Sequence, residues 1–319
     1  MERNMERAKP YRISVQSARW YNEERPEESM RFIRECGFEA IDYSIDSLFR
    51  RTFDEENLTS IFDKSVSELE AYYKPMKESA KTNGISVGQA HGALVIYYDD
   101  DPKRTEYMIK VTEKMFAACH YLGCRAFVIH PWIGSKHNAS KEREIEINLG
   151  IYRRLIPAAK KYGIQICLEN LWEKRDGIYI DAPCITPEES CWYIDKLNRE
   201  AEMDLFGFCL DIGHVLLYKK DVCQFIKAMG SRIVAMHFHE NDRRNDTHMI
   251  PYTQMSAQGD ATVLDWQPVI DTLKEIQYRG NLSFETAYAI TMLPCQVKKQ
   301  ALQLISGIGR CFRERLEAQ

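Results

Sequence analysis

Short apolar or β-branched runs recur along the chain, with longer amphipathic segments between them. The runs are YRISVQS (11–17), EAIDYSI (39–45), ISVGQAH (85–91), RAFVIHP (125–131), IQICLEN (164–170), FGFCLDIGH (206–214), RIVAMHFH (232–239) and NLSFET (281–286). Most are nearly continuous in apolar residues, as strands covered on both faces of a parallel sheet are. The intervening segments carry helix signals. PEESMRFIRECG ends on Gly37. The 102–124 segment opens with acids before a proline and ends near Gly123. SKEREIEINLGIYRRLIPAAKKYG ends on Gly163, TPEESCWYIDKLNRE opens with a Thr cap and two acids, and DWQPVIDTLKEIQYRG ends on Gly280. Eight runs alternating with helices predict a single (β/α)8 TIM barrel rather than an open doubly wound sheet. No Gly/Ser/Pro-rich linker interrupts the alternation, so 1–319 reads as one domain. Two long segments, 46–84 and 240–264, stand apart; the second is polar and is expected to lie as a loop over one barrel end.

Polar residues inside these runs fall at their C-terminal ends, where a parallel barrel gathers its chemistry. His91 ends the third run, His130 the fourth and Glu169 the fifth. Asp211 and His214 end the sixth, His237 and His239 the seventh, and Glu285 the eighth. One such histidine is often only a hydrogen-bonded structural residue, and one such carboxylate can simply cap the next helix. Yet of eight histidines only His120 and His137 lie elsewhere; His248 sits in the loop after the seventh run. Imidazole and carboxylate donors converging on one mouth form the donor set of a divalent cation.

Composition narrows the partner. Lys plus Arg number 43 against 47 Asp plus Glu, a net charge of −4. That counts against a surface that tracks nucleic acid. Ten cysteines are scattered without a CxxC pair, two of them (Cys167 and Cys209) inside apolar runs, and read as buried free thiols. The polar start MERNMERAKPYR and the absence of a long apolar window predict no signal peptide, no membrane span and a cytoplasmic address. No GxGxxG follows the first run, and neither a Walker loop nor a GxSxG elbow occurs. Trp20, Trp132 and Trp172 follow strand runs, where an indole suits the apolar face of a sugar ring, could equally stack on a base, or packs loop against barrel. Trp266 reads as packing, and Asp99–Asp101 as a solvated helix start.

The motifs LEN (168–170), CLDIGH (209–214), HFHEND (237–242) and LSFET (282–286) resemble the xylose-isomerase-like barrel superfamily. That group joins sugar isomerases and epimerases, inositol-pathway dehydratases and the type-four AP endonuclease. The resemblance implies one divalent cation, Mn²⁺ or Zn²⁺ ahead of Mg²⁺ or Co²⁺, on Glu169, Asp211, His239 and Glu285. It implies Glu169 and Glu285 as acid and base on opposite faces of a sugar, polyol or sugar phosphate, passing through an enediolate held by the ion. His214 is then expected to touch substrate oxygens, and His91, His130 and His237 to bind substrate hydroxyls. A homodimer or homotetramer would be in keeping with the group. Two features depart from the epimerases: WEKR (172–175) stands where they carry an acidic residue a few positions after the first glutamate, and Arg243 and Arg244 miss their arginine spacing. The segment RRNDTH adds Asp246 and His248, a DxH pair that the endonuclease uses, with histidines from the third and fourth strands, for extra zinc ions. That is the competing reading, a multinuclear hydrolase. The seven residues from His239 to Asp246 leave little chain to wrap a DNA strand, so this pair is assigned to substrate binding or loop closure.

Overall fold

The computed structural model describes residues 10–255, 259 and 262–318. Ten strands occur among them: β1 (Ile13–Gln16), β2 (Ala40–Tyr43), β3 (Ser86–His91), β4 (Ala126–Ile129), β5 (Gln165–Glu169), β6 (Glu173–Arg175), β7 (Ile178–Ile180), β8 (Phe206–Asp211), β9 (Ile233–His237) and β10 (Leu282–Phe284). Eight form one parallel sheet in the order β10-β1-β2-β3-β4-β5-β8-β9. Its two edges meet just beyond β9. There Phe238 bridges Phe284 in parallel, and its N–H donates to the Ser283 carbonyl at 2.8 Å. The barrel closes at that point. β2 and β8 are buried at every residue, which is why their sequences do not alternate.

The helices are α1 (Pro26–Glu35), α2 (Ile45–Thr52), α3 (Val66–Asn83), α4 (Pro102–Leu122), α5 (Lys141–Tyr162), α6 (Pro187–Ala201), α7 (Ile212–Leu217), α8 (Val222–Met229), α9 (Trp266–Glu275), α10 (Ala287–Thr291) and α11 (Cys295–Glu317). Asp101 caps α4 by accepting from the Arg104 N–H at 2.9 Å, so the acidic run 99–101 starts a helix as expected. The long 46–84 segment resolves into α2 and α3. Ser65 and Glu68 form a capping box that starts the second. Trp266 is fully buried against Phe238 and Phe312, a packing residue. All ten cysteines are free, with Cys167 and Cys209 buried in adjacent strands. Among the described residues no helix is long and apolar enough to cross a membrane.

One element was unexpected. β6 and β7 form an antiparallel hairpin inserted after β5, turning through Asp176 (φ 50) and Gly177 (φ 81). Both central residues lie at positive φ, the conformation that an Asp-Gly pair tolerates in a two-residue hairpin turn.

Candidate active site

A cavity of about 720 Å³ opens at the C-terminal ends of the strands. His91, His130, Glu169, His214 and Glu285 form its floor, and Trp132, Trp172, Tyr97 and Tyr288 contribute to its walls. The loop after β9 adds Asp246 and His248. Asp211, His237 and His239 lie beneath, each 0% exposed.

Local structure explains the CLDIGH spacing. Asp211 is at once the last residue of β8 and the N-cap of α7, accepting from the His214 N–H at 2.8 Å through Oδ1. Its other oxygen lies 2.9 Å from His239 Nε2. Gly213 between them has no alternative. A Cβ there would sit 2.0 Å from His239 Cε1, so only glycine lets the imidazole lie against the helix start.

Three groups of donors form, two of them sharing Glu169. Glu169 meets His130 Nε2 at 3.0 Å and His91 Nε2 at 3.4 Å, and the two ring nitrogens face one another at 3.1 Å. Below them His237 Nδ1 lies 3.1 Å from Glu169, 3.2 Å from Glu285 and 3.6 Å from Asp211. Along the loop, His248 Nε2 meets Asp246 Oδ2 at 3.0 Å, and its ring stacks on His239 at 4.1 Å between centroids. Each group could hold a metal ion. The outer nitrogens are tied to oxygen acceptors: His91 Nδ1 to the Gly92 carbonyl at 3.1 Å, His214 Nδ1 to Asn170 O at 2.6 Å, His248 Nδ1 to Glu285 O at 2.9 Å. Fixing one nitrogen on an acceptor turns the other inward as a donor, the usual arrangement of a ligating imidazole. Mixed imidazole and carboxylate donors of this kind suit Mn²⁺ or Zn²⁺.

Charge is balanced within the floor by proton uptake. Burial opposes ionisation of Glu169, but His237 and His130 outweigh it and hold the carboxyl well below its usual range. Asp211 and Asp246 are lowered in the same way, against burial, by His214 and its neighbours. Burial also opposes charge on the histidines. Even so, Glu169 pushes His91 up to about 9, Asp211 and Asp246 push His214 up to about 10, and Glu285 with Asp246 pushes His248 up to about 9. His130 alone is lowered, by burial. An unfolded imidazole titrates near 6.5, so the folded protein keeps protons that the unfolded chain has released. The stabilisation is complete below pH ~6.5 and lost as pH rises through the folded values, at about 1.4 kcal/mol per proton and pH unit. Chelator-treated protein is therefore expected to melt at a lower temperature at pH 10 than at pH 7.5. A midpoint that rises across this window would contradict the charge balance described.

Most of the residues expected from sequence converge here. Three do not lie where expected. Trp20, expected to contact substrate, packs against the core and is absent from the cavity lining. His237, also expected to contact substrate, lies beneath the floor, and it rather than His239 completes the group with Glu169, Asp211 and Glu285. Three site residues escaped the sequence reading. The Gln16 amide donates to Glu285 Oε1, and Asp42 and Gln89 stand under His237. Asp42 was discoverable as the only charge inside the apolar stretch AIDYSI.

Eight parallel strands around a polar cavity at their C-terminal ends define a (β/α)8 barrel built like an enzyme's. The sequence profile of the xylose isomerase-like TIM barrel matches residues 30–306, and the chain belongs to that family. It is 24% identical over 283 residues to the uncharacterized protein y4fM of Sinorhizobium fredii, covering 84% of this chain and 83% of that one. Among solved structures it is similar to 3-keto-D-glucoside 4-epimerase YcjR from E. coli, with a TM-score of 0.67 at 18% identity over 94% of this chain and 99% of that chain. A putative xylose isomerase from Rhodospirillum rubrum gives a TM-score of 0.68 at 14% identity, covering 95% and 99%. A D-psicose 3-epimerase gives 0.67 at 14%, covering 94% and 99%. At such identities the likeness speaks for the fold.

Proposed function

We propose that this protein is a divalent-cation-dependent isomerase or epimerase of a small sugar, polyol or sugar phosphate. The observation that carries the reading is the pair of carboxylates at the cavity floor, Glu169 at the end of β5 and Glu285 just after β10, that flank the imidazole of His237 buried beneath them. Two carboxylates approaching one substrate carbon from different sides can take a proton from one face and return it to the other. The Gln16 amide holds Glu285 by one oxygen, which fixes its orientation toward the cavity. His214, fastened through Nδ1, turns Nε2 toward Asp246 Oδ2 at 3.5 Å along the cavity lining, within reach of substrate oxygens, and Trp132 and Trp172 provide flat apolar walls for a sugar ring. Glu169, Asp211 and Glu285, with His237 or His239, would hold the cation, which when bound polarises a carbonyl and its neighbouring hydroxyl. The solved neighbours named above include sugar epimerases, in keeping with this reading.

A second reading has its own observation. The groups His91–His130–Glu169 and His239–Asp246–His248 supply ligand sets for two further ions, as a multinuclear phosphodiester hydrolase would need. We assign the loop pair instead to closing the cavity wall. His248 ties the loop to the Glu285 carbonyl, and Asp246 accepts from Trp172 Nε1 at 3.1 Å. Elemental analysis of the parent and of Asp246→Ala, with an abasic-site duplex assayed in zinc, separates the two. One ion per chain in both proteins and no nicking is expected. Two or three ions that fall on substitution, together with nicking, would replace the sugar reading with the hydrolase.

A further inference from the structure

A polar layer inside the barrel supports the floor. Asp42 on β2, Gln89 on β3, His237 on β9 and Ser283 on β10 all point inward and are at most 1% exposed. Asp42 Oδ2 accepts from His237 Nε2 at 3.0 Å, from Gln89 Nε2 at 2.9 Å and from Ser283 Oγ at 3.4 Å. Asp42 Oδ1 is buried with no hydrogen-bond partner. A carboxylate taken this far from water is costly unless a positive charge answers it. Among the described residues the basic side chain in contact with Asp42 is His237. Apolar residues would fill a barrel interior more cheaply, so the layer points to a task beyond packing.

The geometry points to that task. We infer that Asp42 is a positioning residue, one that keeps the proton of His237 on Nε2 and aims Nδ1 at Glu169, Glu285 and Asp211 as a ligand for the cation. The inference rests on the cation reading above and extends it to His237 and the residue behind it. A ligating imidazole ordinarily gives its other N–H to a carboxylate or carbonyl, and removing that acceptor typically costs 10- to 100-fold in metal affinity. His237 meets this description through Asp42, whereas the Nδ1 of His239 is buried with no acceptor. Gln89 completes the arrangement. Its amide donates to the same oxygen of Asp42, so that oxygen cannot rotate away from the imidazole without breaking two bonds.

The test compares Mn²⁺ and Zn²⁺ affinities, measured by calorimetry on folded protein, for the parent, Asp42→Ala, Asp42→Asn and Asp211→Asn. Asp42→Ala is expected to bind about 10- to 100-fold more weakly than the parent, and Asp42→Asn, which keeps an acceptor oxygen, to recover most of the loss. A folded Asp42→Ala protein within twofold of the parent would overturn the inference while leaving the cation reading intact, provided that Asp211→Asn still loses affinity. A parent chain that binds neither ion would overturn both. Nitrogen-15 spectra of the histidines in the parent chain give a readout that needs no substitution. Zinc should shift the Nδ1 resonance of His237 while Nε2 stays protonated. A zinc-loaded His237 protonated on Nδ1 would overturn the inference even if Asp42→Ala failed to fold.

Discussion

Glu169→Gln and Glu285→Gln are each expected to abolish exchange between a substrate C–H and solvent while leaving the barrel folded. Glutamine matches glutamate in shape, and Glu285 sits at the rim of the floor, where its lost charge is least disruptive. Glu169 is deeper, and its loss leaves His91 and His130 without their carboxylate, so that variant is expected to bind the cation more weakly as well. A single general acid or base contributes about 10²- to 10⁴-fold, so the exchange rate should fall by at least that factor in each variant. Circular dichroism and thermal unfolding report whether the fold survives. Exchange at the parent rate in either folded variant would remove that carboxylate from the chemistry.

Asp211→Asn is expected to lose most of the metal affinity with little change in fold. Asparagine caps a helix about as well as aspartate, so the bond to the His214 N–H at 2.8 Å can persist. What disappears is the charged oxygen facing His239 and His237. It is replaced by an amide N–H₂ that cannot coordinate a cation and that confronts His239 Nε2 with a donor. The expected loss exceeds the roughly 100-fold typical of removing a ligand's supporting residue. Metal content after dialysis and the calorimetric affinity both read it. Undiminished content would show that Asp211 is no ligand.

The barrel was readable because its strands are buried on both faces. Runs such as IQICLEN and FGFCLDIGH cannot be mistaken for amphipathic hairpins, and the polar residue at each C-terminal end marks the mouth. The division of labour between His237 and His239 was not readable. They stand two apart in one apolar run, where strand alternation would put both on the same side. Which of them meets Glu169 depends on where the chain leaves the ladder, and on a register shift between β8 and β9 at Phe208/Cys209. Nor could sequence pair Asp42 with His237, which lie 195 residues apart. The hairpin after β5 was a different case. Its Asp176–Gly177 turn is an ordinary local signal, masked by the neighbouring LEN motif. Trp20 went astray because a loop residue's direction is set by contacts that no periodicity encodes.

The central claim is that two carboxylates on this floor move a proton on and off a sugar carbon. Incubating the Mn²⁺- or Zn²⁺-loaded protein in D₂O with a panel of ketopentoses, ketohexoses and their phosphates tests it most directly, with proton NMR reading each carbon. The account predicts deuterium at one carbon beside the carbonyl of at least one sugar, lost in Glu169→Gln and in Glu285→Gln. Fully loaded protein that leaves every carbon of every sugar protonated, yet nicks an abasic duplex, would contradict it.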